Sequence, residues 1–335
     1  MTRPPTHSAH AHAADPGAHG LETATVGLAA VVVAVSEDEP KVLSIRSESE
    51  PDALPSGPLE PQHRTLDAGL RSWVETQTSQ KLGYVEQLYT FGDRNRQPLS
   101  DHARALSIGY LALVREARPA GSREAEWRDW YRYFPWEDWR GGRPDILDPI
   151  TETLARWAHV ATADERRSRE DRIRVTFGHG AVPWNDERVL ERYELLYETG
   201  LVPEAHRDRA KVWAKPSDEI AGADAMVADH RRILATAIAR LRAKIKYRPV
   251  VFELMPPEFT LSRLQRTVEA LAGLRLHAPN FRRLVENQGL VEETGAVSAE
   301  TGGRPARLVR FRREVLVERP APGVRLPLSR RGGER

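Results

Sequence analysis

The residues of this 335-residue chain best suited to selective chemistry lie near its C-terminal end. Asn280, Arg282, Arg283, Glu286 and Asn287 are interleaved with Phe281, Leu284 and Val285. On a helix the first set shares an outer face and the second an inner one. A carboxamide offers a donor beside an acceptor, which matches adenine, and a guanidinium fork matches guanine or a phosphate. Asn280 is therefore a candidate adenine reader, and Arg282 and Arg283 are candidates for guanine or phosphate. Further on, Arg304 and Arg307 flank the end of a Gly- and Ser-containing loop and are candidates for backbone or minor-groove contact.

Such residues need elements that hold them. A helix is expected to begin after Thr260, an N-cap type that completes the DNA-contact set. Leu261, Leu264, Val268 and Leu271 recur at helical spacing, and Gly273 supplies a C-cap and tight turn. A second helix is expected over about 278–288, ended by Gly289. Two strands, about 290–294 and 306–311, then form a hairpin with a basic tip. Helix, turn, helix and hairpin in that order make a winged helix-turn-helix, whose second helix enters the major groove.

Charge agrees with that assignment. Residues 241–335 hold 19 Lys and Arg against 10 Glu and no Asp, a charge of +9; the whole chain is +2, so the first 240 residues carry −7. A basic module on an acidic body suits a polyanion such as double-stranded DNA. The alternative is a protein-docking module with solvated arginines; the order of the elements favours DNA.

The stretches PEFTLSRLQ, NFRR and TGGRPARLVRF resemble the C-terminal domain of Nudix-related transcriptional regulators of NAD metabolism (NrtR-like). That resemblance implies a Nudix-like sensor domain upstream. The fold class expected is α/β: a Nudix-like α/β/α sandwich with a large insertion, followed by a C-terminal winged helix-turn-helix.

The upstream pattern fits. Apolar β-branched residues over 23–35, a turn, and a strand over 41–46 read as a hairpin. A loop, a helix over about 65–76, and strands over 83–91 and 105–114 follow. The Nudix signature, G-x5-E-x7-R-E-U-x-E-E-x-G-U with U a bulky aliphatic, uses helical glutamates to hold divalent cations against a pyrophosphate. Aligned from Gly57, it keeps Arg71 and Glu75 but replaces three glutamates by His63, Ser72 and Thr76, and the glycine by Thr78. One carboxylate cannot assemble a multi-metal site. The resemblance, which extends to YVEQLYTFGD and RALSIGYLALV, thus implies a nucleotide binder that requires no cofactor or metal and does not hydrolyse. Arg71, Glu75, Tyr89, Phe91 and Arg104 are its candidate ligand contacts. For Arg71 and Glu75 the alternative is a plain i, i+4 surface ion pair.

The remainder bounds the reading. Forty per cent hydrophobic residues supports real cores, and zero cysteines excludes disulfides and thiolate metal sites. No signal peptide or membrane span is expected, so the protein is placed in the cytoplasm. Residues 1–20, with His7, His10, His12 and His19, read as a disordered tail rather than a metal site. The stretch EWRDWYRYFPWEDWRGG holds half of the eight tryptophans. It either stacks bases or packs within the protein, and packing is favoured. Helices over 146–159 and 184–199, a strand over 171–177, a turn at 178–180, a long helix over 226–247 and a strand over 250–254 complete the pattern.

The domains expected are a tail (1–20), a degenerate Nudix-like sensor (21–225, insertion about 116–222), a winged helix (226–318) and a basic tail (319–335). The insertion suits a larger, NadQ-like subgroup. The function implied is a homodimeric regulator that represses NAD-biosynthesis genes at a palindromic operator. Its effector would be a small-molecule nucleotide: ADP-ribose, NAD or ATP. The alternative is an active Nudix hydrolase of ADP-ribose or a related compound.

Overall fold

The computed structural model describes residues 24–93, 104–115, 124–208, 219–220, 222–298 and 305–318. The histidine-bearing tail, Arg304, residues 116–123 and the C-terminal tail lie outside them.

The chain opens with strands β1 (Ala24–Ser36), β2 (Glu39–Ile45) and β3 (Ser56–Pro58), then helix α1 (Leu66–Thr78), β4 (Tyr84–Phe91), β5 (Arg104–Leu113) and β6 (Ala125–Asp129). The sheet order is β4-β5-β1-β2-β6, with β3 also on β1; β1 and β5 run parallel and the other pairs antiparallel. β1 is central because its side chains are apolar on both faces. Leu28, Ala30 and Val32 meet Leu70 and Val74 of α1, whereas Ala29, Val31 and Val33 join the larger core on the opposite face. A strand buried on both sides reads as a continuous apolar run, and that is what residues 26–35 are. β6, inside the stretch 116–222 set apart as an insertion, supplies an edge strand, with Trp127 opposite Leu43.

Two short 3-10 turns, Trp130–Arg132 and Pro135–Glu137, lead to helices α2 (Leu147–His159), α3 (Ala163–Phe177), α4 (Val189–Thr199), α5 (Pro203–Arg207) and α6 (His230–Tyr247). Trp130, Tyr133, Phe134 and Trp136 are fully buried, so the Trp-rich stretch packs rather than presenting its rings. The strand expected over 171–177 is instead the end of α3. Ile173 and Phe177 are four apart and both buried, while Val175 between them is exposed, so one pattern satisfied two periods. A capping box between Thr162 and Glu165 and a left-handed Gly178 (φ 64°) decide for the helix. α4 begins at Val189, not Trp184, and α6 at His230, not Met226, because Met226 bridges to Asp52. α6 lays Ile233, Leu234, Ile238, Leu241 and Ile245 into the core on the sheet face opposite α1.

The C-terminal unit holds α7 (Leu261–Ala272), α8 (Ala278–Asn287), β7 (Val291–Ser298), β8 (Ala306–Phe311) and a short α9 (Val315–Glu318). Val250–Leu254 is a 3-10 turn and not the expected strand; its apolar side chains are buried within one compact turn. Phe259 instead pairs with Val309 through two backbone hydrogen bonds, of 3.0 and 2.8 Å. Among the described residues no helix is long and apolar enough to cross a membrane.

Candidate functional site

The helix expected to read DNA is α8. Phe281 and Val285 are buried, Pro279 occupies its first turn, and Asn280, Arg282, Arg283, Glu286 and Asn287 are all exposed. Arg283 donates to the Asn280 Oδ1 at 3.0 Å, and Arg282 to the Ser262 Oγ of α7 at 3.3 Å. Three of the predicted DNA residues are thus exposed on this helix, Arg283 beside Asn280 and Arg282 toward α7. Thr260 serves α7 directly: its Oγ1 accepts from the Arg263 N–H at 3.1 Å, so the structure gives it a capping role. On the wing, Arg307 pairs with Glu293 at 2.6 Å and Arg310 with Glu292 at 2.5 Å, across a hairpin with a bulge between Glu293 and Val297. Sequence reasoning passed over Glu269. Its buried carboxylate accepts from the Leu276 N–H (2.9 Å), Gln265 (2.8 Å) and Arg275 (3.0 Å), fixing the turn that aims α8.

Among the expected nucleotide contacts, Arg71 and Glu75 have separate partners. Arg71 pairs with Asp67 at 2.8 Å and donates to the carbonyls of Leu82 (2.5 Å) and Gly83 (3.3 Å), while Glu75 faces Lys81 at 4.0 Å. They do not pair with each other; Arg71 ties α1 to the start of β4. Phe91 is 5% exposed and packed in the core on the α6 side, with the Arg232 guanidinium over its ring. Tyr89 is 54% exposed, with the Arg240 guanidinium of α6 5.6 Å from its ring centroid. Arg104 begins β5 opposite Ala24.

The signature positions have been given over to packing. Trp73 crosses Gly57 so closely that a Cβ there would lie 2.2 Å from the indole, and its Nε1 donates to the Pro58 carbonyl at 2.8 Å. His63 lies edge-on to the same ring. Among the described residues no group of three His, Cys, Asp or Glu side chains is arranged to hold a metal ion. A cleft of about 510 Å³ between α3 and α4 is lined by Arg172 and Arg188 against Asp171, Glu191 and Glu194, a balance that disfavours a polyphosphate.

The sheet domain and the C-terminal unit share a seam. The Tyr131 hydroxyl donates to the Ala270 carbonyl at 2.7 Å, and the Trp139 N–H to the Gly273 carbonyl at 2.8 Å. Arg242 of α6 donates from Nε to the Leu271 carbonyl at 3.0 Å and from a terminal nitrogen to Glu137 at 2.7 Å. Glu137 also takes two hydrogen bonds from Arg192 of α4, at 2.5 and 2.9 Å. All three of these side chains are fully buried. Burial holds the Arg192 pKa below its ordinary value against the pull of Glu137. Burial also opposes charge on Arg242, but Tyr131, Glu137 and Asp186 outweigh it and raise its pKa. Burial pushes the Tyr131 phenol up to about 12. Gly273, at φ 69°, ends α7 where a Cβ would lie 2.4 Å from the Glu137 carbonyl oxygen.

A family model described as the NrtR DNA-binding winged helix domain matches residues 251–311. The ADPR responsive transcriptional repressor NtrR of Acinetobacter baylyi is 45% identical over 83 residues, 25% of this chain and 33% of that protein. The chain thus matches about a third of the length of this curated relative. The crystal structure of Shewanella oneidensis NrtR complexed with a 27mer DNA aligns with a TM-score of 0.51 at 18% identity, over 87% of this chain and 95% of that one. A MutT/nudix family protein from Enterococcus faecalis aligns at 0.51 and 16% identity, over 87% of each chain. The fold is that of a Nudix-like α/β domain joined to a C-terminal winged helix, and in it the chain resembles the NrtR-like Nudix regulators.

Proposed function

We propose that the chain is a DNA-binding transcriptional repressor whose Nudix-like domain binds an adenine nucleotide without hydrolysing it. The observation that carries this reading is α8. It is a short helix braced by Glu269, with Asn280, Arg282 and Arg283 exposed together beside the wing. The match of residues 251–311 to a DNA-binding winged helix supports it. The relative in Acinetobacter baylyi is described as ADPR responsive, which makes ADP-ribose the first effector to test, ahead of NAD and ATP.

In this reading α8 enters the major groove, and Arg304 and Arg307 on the wing hold the backbone or minor groove. Two copies of the chain place two readers on a palindromic operator in front of NAD-biosynthesis genes. Nucleotide bound near Tyr89, with Arg240 beside the ring, would bias one arrangement of the two readers. Only a difference in its free energy between the two arrangements can regulate. The positions of the lost glutamates support binding without turnover. The division at about residue 226 makes α6 the last helix of the sensor and the first support of the reader.

The test is a gel shift on the promoter region beside the chain's own gene, with ADP-ribose, NAD and ATP titrated separately. One nucleotide should change operator affinity severalfold while leaving random DNA unaffected. A chain that ignores all three would remove the sensor half of the proposal, and one that prefers no promoter fragment would remove the reader half.

A further inference from the structure

The turn between β1 and β2 is unusual for its position. Ser36 pairs with Glu39, so Glu37 and Asp38 form a two-residue hairpin turn, and both have left-handed backbones (φ 54° and 61°). Turns of that kind favour Asn-Gly or Asp-Gly, because a side chain at positive φ crowds its own carbonyl. Here two acids occupy the strained positions. Their placement is useful for one contact: the Asp38 carboxylate meets the Arg266 Nε of α7 at 3.0 Å. Arg140 buttresses the turn from behind, donating to the Asp38 carbonyl at 2.9 Å and to Glu39 at 2.7 Å.

Arg266 stands one helical turn beyond Ser262, the residue that Arg282 of the reading helix touches. Arg282, Ser262 and Arg266 therefore form a continuous strip leading from α8 along α7 to the sheet domain. In helix-turn-helix docking the first helix crosses the phosphate backbone. Arg266 is exposed, and the side chains of Arg266 and Asp38 are each about half exposed (48% and 52%), so this ion pair is open to competition from solvent and ligand.

We infer that Arg266 is a phosphate contact of the DNA-binding surface and that Asp38 is its built-in competitor, an acid from the sensor domain occupying a site that a DNA phosphate would fill. This rests on the DNA-binding reading above and adds to it a surface and a restraint. Swapping carboxylate for phosphate leaves the arginine paired in both states, so DNA affinity is held down by the turn. Any movement of the turn away from α7 raises that affinity without touching a base.

The test uses the full chain and a short labelled duplex of random sequence, because phosphate contacts are blind to sequence. Asp38→Asn keeps a side chain that tolerates positive φ and should tighten binding roughly two- to fivefold, the range of an exposed ion pair. It should also steepen the salt dependence by up to about 0.9 in log–log slope, one further phosphate. Asp38→Gly should act alike, Arg266→Gln should weaken binding, and in the Arg266→Gln background Asp38→Asn should lose most of its gain. Glu37→Gln removes an equal charge without freeing Arg266 and should gain less. Equal gains from Asp38→Asn with and without Arg266 would reduce the effect to general charge and overturn the inference, as would no gain at all. A wild-type chain that binds no duplex would remove the DNA reading itself, and this inference with it.

Discussion

Replacing Glu137 by glutamine is the sharpest perturbation of the seam. The carboxylate holds Arg192 and Arg242 through contacts of 2.5, 2.9 and 2.7 Å, and none of the three side chains is exposed to solvent. Glutamine keeps the shape and one acceptor but removes the charge, leaving two guanidinium groups without their shared counterion. Breaking a buried pair in this way costs about 3–5 kcal/mol. Whole-domain stability is only about 5–15 kcal/mol, so the loss is a large share. Denaturant unfolding at neutral pH should show a clearly lower midpoint for Glu137→Gln. Arg143→Gln, which loses an exposed partner in Asp148, should leave the midpoint in place. A triple replacement of Glu137, Arg192 and Arg242 by methionine should recover most of the loss, since an apolar triad of similar volume needs no counterions. It would still lack the Arg242 bond to the Leu271 carbonyl, and so separates stability from attachment of the reader. A loss below about 1 kcal/mol for Glu137→Gln, the size of an ordinary hydrogen bond, would refute the claim that this carboxylate neutralises a dry site.

Asn280→Ala or Arg282→Ala should relax preference at particular base pairs by about 1–3 kcal/mol each, whereas Arg307→Ala should weaken all sequences alike and flatten the salt slope; competition binding to operator variants tells them apart. Incubation with ADP-ribose and Mg²⁺ or Mn²⁺ should give no turnover approaching about 1 per second, and a rate of that order abolished by Glu75→Gln would restore the hydrolase. His230 is buried and accepts from the Leu54 N–H at 2.9 Å; burial, helped by Arg207, lowers its pKa from 6.5 to about 4. The unfolded chain then binds the extra proton first, so stability should fall by up to about 3 kcal/mol as pH drops from about 6.5 to 4, and His230→Gln should lessen that fall in urea titrations at the two pH values. Tyr131→Phe removes the hydroxyl that reaches the Ala270 carbonyl and should reduce the effect of nucleotide on DNA affinity while each affinity measured alone stays near wild type; an undiminished effect would exclude that bond from the linkage.

The reader was legible in the sequence because its signals are local. Thr260, Gly273 and the alternation around Phe281 each act within a few residues, and the helices they imply are present. The reading of residues 171–177 failed because Ile173, Val175 and Phe177 fit a strand and Ile173 and Phe177 alone fit a helix; Thr162, Glu165 and Gly178, outside that window, settle it. The burial of Phe91 was not legible for a different reason. A register shift between Gln87 and Thr90 reverses the alternation of β4, so Leu88 and Phe91, three apart, both turn into the core. The seam was not legible at all. Glu137 lies 55 residues from Arg192 and 105 from Arg242, and no short-range pattern joins them.

Gly273 lets α7 stop and lets the Trp-rich segment approach, and these are demands from two different domains on a single residue. Winged helices are often pictured as interchangeable cassettes, moved between proteins by recombination at a linker. This one resists such exchange. A foreign reader spliced in at Val250 would have to arrive with a glycine at this register, a backbone carbonyl for Trp139 and another for Arg242. Lineages carrying this architecture would therefore inherit the sheet domain and the C-terminal unit together, and a working chimera should need its splice point upstream of α6 and of the Trp-rich segment together.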